Sequence, residues 1–213
     1  MDVVIAGGHG KIALLLGAML AERGDRVRGL IRDPDQAEDL RRAGLEPVVF
    51  DLEGEGDLVA AIEGAETVVF AAGAGPGSGA ERKRTMDLGG AVRLIEAATE
   101  ASARRYLMIS SSGAGNPPAE GSDVFGEYLR AKAEADRALE RSGLDYTIVR
   151  PGSLTDDAAT GRVSVGPELP RAEIPRADVA ATLAASLSAE NTIGKTFELR
   201  AGDTPIADAL ASL

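Results

Sequence analysis

The chain carries no cysteine and a single histidine, His9. Thiolate nucleophiles, disulfides, cysteine-based metal sites and histidine clusters are therefore excluded, and chemistry is left to serine, tyrosine, lysine and carboxylates or to a bound cofactor. The clearest local pattern is Gly7-Gly8-His9-Gly10-Lys11-Ile12-Ala13, which reads as G-x-x-G-x-x-A from Gly7 or G-x-G-x-x-A from Gly8. In either register the glycines permit positive φ in a tight turn and let the backbone approach a pyrophosphate, whose charge a helix N-terminus favours. Ala13 keeps that helix close to its strand. In such a site the end of the second strand meets the adenosine ribose. There Arg32 suits the 2′-phosphate of NADP, and Asp33 suits the free 2′-hydroxyl of NAD. Asp33 precedes Pro34 and has an alternative duty as a helix N-cap, so the pair favours NADP. Lys11 is a second candidate phosphate partner and His9 a loop residue over the phosphates. Asp51 either accepts the adenine amino group or caps a turn.

These residues need a scaffold, and the chain supplies one in short apolar runs alternating with longer amphipathic stretches, the pattern of βαβ units and a parallel sheet. Strands are expected at Val3 to Ala6, Val27 to Ile31, Pro47 to Phe50, Thr67 to Ala71, Tyr106 to Ile109 and Tyr146 to Val149. Helices are expected from about Ile12 to Glu22, from Asp33-Pro34 to about Ala43, from about Ala80 to Ala101 and from about Val124 to Arg141, with Gly24, Gly44 and Gly143 as stops. Beyond Pro151-Gly152 the pattern weakens to a segment near Arg162 to Val165, a helix near Arg176 to Leu187 and a strand near Lys195 to Leu199. Gly73 to Gly79 reads as a mobile loop, and the Arg82-Lys83-Arg84 trio as a solvated helix start.

At 213 residues and 44% hydrophobic content, the length suits one α/β domain over residues 1–213, a Rossmann-type doubly wound parallel sheet in which residues 152–213 line a substrate pocket. Net charge is −11, which disfavours nucleic acid and anionic membranes as partners and leaves a small-molecule substrate. The sequence opens without a basic and apolar leader and holds no long apolar run, so a soluble cytoplasmic protein is expected. Oligomeric state is left open.

Several runs together resemble the short-chain dehydrogenase/reductase superfamily, in its atypical NAD(P)H-binding branch related to sugar epimerases and NmrA-like proteins. The carriers are the Gly7 to Ala13 turn, Asp51-Leu52, Ala71-Ala72-Gly73, the serines after the fifth strand, Tyr128-Leu129-Arg130-Ala131-Lys132, and Ser142 to Gly152. The resemblance implies that Leu52, Ala71, Ala72, Gly73, Ile12 and Pro151 also border the cofactor. It implies that Tyr128 is the general acid/base and that Lys132 lowers its pKa and holds the nicotinamide ribose. A phenol titrating near pH 10 needs a nearby cation to work near neutrality, and i, i+4 spacing puts the two side chains on one helix face. By the epimerase pattern Ser112, with Ser111 second, orients the reacting oxygen. Asp87 stands where the superfamily usually has Asn and is expected to tether Lys132 through water. Asp178 is expected to complement a helix dipole. The leading expectation is an NADP-dependent oxidoreductase of a small carbonyl, quinone or flavin. A sugar epimerase/dehydratase and a non-catalytic NADP(H) sensor are the alternatives.

Overall fold

The computed structural model describes residues 1–75, 77–119 and 123–213. The first half builds β1 (Asp2–Ala6), α1 (Lys11–Glu22), β2 (Arg26–Ile31), α2 (Ala37–Arg42), β3 (Glu46–Val49), α3 (Leu58–Ala61) and β4 (Thr67–Phe70). After Asp2 and Thr67 at their starts, β1 and β4 are continuous apolar runs buried on both faces, as parallel central strands require. Gly24 and Gly44, at φ +89° and +82°, end α1 and α2 where the sequence placed its stops. Asp33 accepts from the Asp35 amide at 3.0 Å and so caps the short 3₁₀ turn leading into α2.

A helical stretch follows, in which α4 (Ala80–Arg82) passes through a π-helical segment, Lys83–Gly90, into α5 (Ala91–Glu100). The expectation of one uninterrupted α-helix is corrected here. Gly89 and Gly90 lower the cost of leaving the α ladder, and at Gly90 the backbone lies so close to Met86 and Leu52 that a Cβ would sit 3.1 Å from the Met86 sulfur. The chain continues through β5 (Arg105–Ile109), α6 (Val124–Glu140), β6 (Asp145–Pro151), β7 (Ser153–Thr155), β8 (Arg162–Gly166), β9 (Glu173–Pro175), α7 (Arg176–Ser186), β10 (Lys195–Ala201), β11 (Thr204–Pro205) and α8 (Ile206–Ala211).

One sheet runs β11-β8-β10-β6-β5-β4-β1-β2-β3, with β8 antiparallel to β10 and β11 and the other pairings parallel; β7 and β9 pair separately. Alternate residues of β1 feed two cores. Val3 and Ile5 join Leu16, Leu183 and Phe197 on the side of α1 and α7, while Val4 joins Phe70, Leu94 and Leu139 on the side of α5 and α6. The result is a single-domain Rossmann-type sandwich, helices on both faces of a mostly parallel sheet. Strand order reverses between β1 and β4, and a crevice opens there at the carboxyl ends of the strands.

Candidate active site

The turn from β1 into α1 is built by backbone proximity. Gly7 has φ +76°, and a Cβ on it would lie 2.6 Å from the Ala72 Cα; one on Gly8 would lie 2.8 Å from the Gly29 Cα. These two glycines let the turn sit between β2 and the end of β4. Gly10 differs. It is exposed, and its added Cβ would meet little besides the Gly7 carbonyl at 3.1 Å. As N-cap of α1 it offers no side-chain acceptor, and the first turn of that helix has no acidic residue. The positive end of α1 is thus uncompensated and fits an anionic group.

Gly7, His9, Gly10, Arg32, Asp51 and Leu52 border a cavity of about 310 Å³ beside this turn. Arg32 is exposed and makes no ion pair or hydrogen bond to a described residue, whereas Asp33 is spent on its cap. Asp51 uses one oxygen to accept from the Glu53 amide at 2.9 Å. His9 Nε2 lies 3.0 Å from an Asp39 carboxylate oxygen. Lys11, proposed by sequence as a phosphate partner, is engaged by Asp156 at 2.5 Å, and Arg176 holds the other oxygen of that carboxylate at 2.6 Å.

A second cavity of about 1070 Å³ adjoins the first, with Ala71, Ala72, Gly73, Ala74 and Gly75 bordering both. Ile12, Ile109, Ser110, Ser111, Ser112, Tyr128, Lys132, Asp87 and Pro151 line it, so α1, β5, β6, α6 and the π-helical segment converge on one space. Lys132 is 3% exposed. Its ammonium donates to the Ile109 carbonyl at 3.2 Å, lies 3.4 Å from Asp87 Oδ1 and sits 5.1 Å from the Phe70 ring centroid. The expected water tether is therefore a direct ion-pair contact. Asp87 Oδ2 accepts from the Ala74 amide at 3.2 Å, so this one carboxylate joins the wall shared by both cavities to the lysine. The Tyr128 ring lies 5.9 Å from Lys132 Nζ, and its hydroxyl makes no hydrogen bond to a described residue.

The three serines differ in their commitments. Ser110 donates to Asp136 Oδ2 at 2.9 Å, which Arg150 also binds at 2.9 Å. Burial pushes the Asp136 carboxyl above its ordinary value, against the opposing pull of Arg150, Ser110 and Lys132. Ser112 accepts from Arg200 at 2.6 Å and donates to Glu198 at 3.5 Å, while Ser111 donates only to the Ser112 carbonyl, at 3.3 Å. Asp136, Arg150, Glu198 and Arg200 escaped the sequence reading. A signal was present in Ile148-Val149-Arg150-Pro151 and Phe197-Glu198-Leu199-Arg200, where charges interrupt buried strands and so demand partners.

Two further expectations change. Arg82, Lys83 and Arg84 are more than a solvated helix start: Arg82 pairs with Glu53, Lys83 donates to the Gly75 carbonyl, and Arg84 pairs with Glu127. Gly73 to Gly79, of which residue 76 lies outside the described residues, is held in part by these contacts. Asp178 accepts from the Thr160 and Gly161 amides at 2.8 to 3.1 Å, pinning the loop before β8 as well as sitting in the first turn of α7.

The model of a family described as NAD(P)H-binding matches residues 7–190, starting at the first glycine of the turn. The chain belongs to this NAD(P)H-binding family. It is 40% identical to the uncharacterized sugar epimerase YhfK of Bacillus subtilis over 215 residues, covering 100% of each chain. It is likewise 40% identical to a Bacillus halodurans protein provisionally named an NAD-dependent epimerase/dehydratase, with a TM-score of 0.94 over 100% of both chains. The oxidoreductase ylbE from Lactococcus lactis superposes with a TM-score of 0.86 at 28% identity, over 100% of this chain and 96% of that one. Among the described residues of this NAD(P)H-binding chain, no helix is long and apolar enough to cross a membrane and no acidic or histidine cluster could hold a metal ion.

Proposed function

We propose that the protein is an NADP-dependent oxidoreductase acting on a small carbonyl, quinone or flavin compound, with Tyr128 as proton donor. The observation that carries this reading is the pairing of Tyr128 with a buried, charge-compensated Lys132 in the cavity that adjoins the Gly7 to Gly10 turn. NADPH, when bound, supplies the hydride. Gly7, Gly8, His9, Gly10 and Lys11 with the start of α1 would hold its pyrophosphate, Arg32 its 2′-phosphate in preference to Asp33, and Asp51 and Leu52 the adenine side. Ala71, Ala72, Gly73, Ile12 and Pro151 would border its nicotinamide half.

The remaining chemistry belongs to side chains. The Tyr128 hydroxyl, without a hydrogen bond to a described residue, donates its proton to the substrate oxygen as charge builds there. The Lys132 ammonium stabilises the phenolate left behind and reaches the ribose, and Asp87 keeps that ammonium in place. Arg200 can only donate, so it takes a lone pair of Ser112, and the serine O–H, which donates to Glu198 at 3.5 Å, would turn from that long contact to orient the substrate oxygen, with Ser111 as the second hydroxyl. Gly152, Ser153, Leu154, Arg171 and Ala172 complete the pocket from the carboxyl-terminal segment. The names of the two relatives at 40% identity favour a second reading, a sugar epimerase or dehydratase, which would use the same phenol and lysine.

NADPH oxidation with a panel of quinones, aldehydes and flavins tests the proposal. Tyr128→Phe is expected to lower turnover by ~10²–10⁴ while cofactor affinity holds. Turnover of the variant at the wild-type rate would overturn it.

A further inference from the structure

The charges lining the larger cavity run against the charge of the chain. Three cations, Lys83, Lys132 and Arg171, stand against one carboxylate, Asp87, in a protein of net charge −11. Asp87 is already committed to Lys132 at 3.4 Å. Lys83 spends one hydrogen on the Gly75 carbonyl at 3.0 Å and lies 5.2 Å over the Tyr128 ring. Arg171 is exposed and has no hydrogen bond or ion pair to any described residue, while the nearby Arg82, Arg150 and Arg200 are all paired. The pyrophosphate does not account for these cations, because Gly7 and Gly10 border the smaller cavity and not this one.

The same space also has an apolar lip. Among the described residues six large hydrophobics are exposed, and three of them, Val124, Phe125 and Leu154 at 46%, 58% and 36%, line this cavity. Phe125 lies 5.8 Å from Tyr128, centroid to centroid, so two of the chain's seven Phe and Tyr residues meet here. Exposed apolar side chains gathered at one mouth mark a surface that is covered when the site is filled.

We propose that the cavity selects a substrate with a flat apolar body and an anionic group. Phe125, Val124 and Leu154 cover the body, and Arg171 with Lys83 holds a carboxylate or phosphate. Hydroxyls on a sugar ring would find no donors in that lip. The proposal rests on the oxidoreductase reading for the identity of the occupant as substrate, but the anion subsite can be tested apart from turnover.

Matched probes decide it: 4-carboxybenzaldehyde against benzaldehyde for a carboxylate, and FMN against riboflavin for a phosphate. Binding to the NADP⁺-loaded protein is measured by calorimetry, and KM by NADPH oxidation. A charge-assisted contact predicts about tenfold tighter binding of the anionic member of at least one pair, which pair it is naming the anion. Arg171→Gln is expected to bring the two members of that pair together, Arg171→Lys to restore part of the gap, and added salt to narrow it. Equal binding of neutral and anionic members, a gap that survives Arg171→Gln, or no binding of either anionic probe would overturn the subsite. An Arg171-dependent preference without turnover supports the subsite and counts against the oxidoreductase reading; turnover without such preference does the reverse.

Discussion

The buried pair of Lys132 and Asp87 is the energetic centre of the site. Neither charge has water to fall back on, and removing one partner from such a pair leaves the other uncompensated, at a cost of ~3–5 kcal/mol. Asp87→Ala is accordingly expected to lower unfolding stability in urea by about 3 kcal/mol, and Asp87→Asn by less, because an amide oxygen can still accept from Ala74. A loss below ~1 kcal/mol for Asp87→Ala would contradict the pairing. Lys132→Ala should weaken both NADPH binding and turnover, in contrast to Tyr128→Phe. Asp136 makes a prediction about pH. Its folded pKa lies above the ordinary 3.8, so its favourable contribution is complete below that value and is lost as pH rises through the folded pKa. Asp136→Asn should therefore gain melting temperature relative to wild type as pH rises from the ordinary carboxylate value through the raised one, and a gap that moves the other way would refute the raised pKa. Tyr128 and Lys132 were legible in the sequence because four residues on a helix fix their relation. The partners of Ser112 were not, since Arg200 and Glu198 stand 88 and 86 residues away and only strand pairing brings them together.

At the scale of elements, the turn between β1 and α1 separates folding from binding. Gly8→Val would drive a side chain into the β2 backbone at Gly29 and is expected to destabilise or unfold the chain. Gly10→Val meets only the Gly7 carbonyl closely, at 3.1 Å, on the exposed start of α1, so the fold should persist while NADPH no longer raises the melting temperature. A thermal shift series with and without NADPH checks both, and retained stabilisation in Gly10→Val would mean that the cofactor lies elsewhere. The principal strands and helices were legible because buried parallel strands are apolar runs and α1, α2 and α6 are followed by Gly24, Gly44 and Gly143. The short elements were not. α3 has four residues and β7 and β9 three each, too few to show a period, and β7 and β9 find each other only after the chain has folded. The π-helical segment was hidden as well, because Leu88, Val92 and Ile95 satisfy an ordinary helical period while the ladder around Asp87 is displaced.

At the scale of the molecule, the reversal of strand order between β1 and β4 opens one crevice, and two cavities that share Ala71 to Gly75 lie along it, the smaller proposed for the adenosine end of the nucleotide and the larger for the reaction. The net charge of −11 repels extended polyanions, yet each half keeps an arginine without a hydrogen bond or ion pair to a described residue, Arg32 in the smaller and Arg171 in the larger. The reaction proposed for the larger cavity depends on a phosphorylated dinucleotide whose adenosine end lies in the smaller one. Calorimetric titration of NADPH and NADH into the wild type and Arg32→Ala is the direct test. NADPH should bind at least about tenfold more tightly than NADH to the wild type, and Arg32→Ala should erase most of that difference by weakening NADPH alone. Equal affinities in the wild type, or a preference for NADPH untouched by Arg32→Ala, would contradict the assignment.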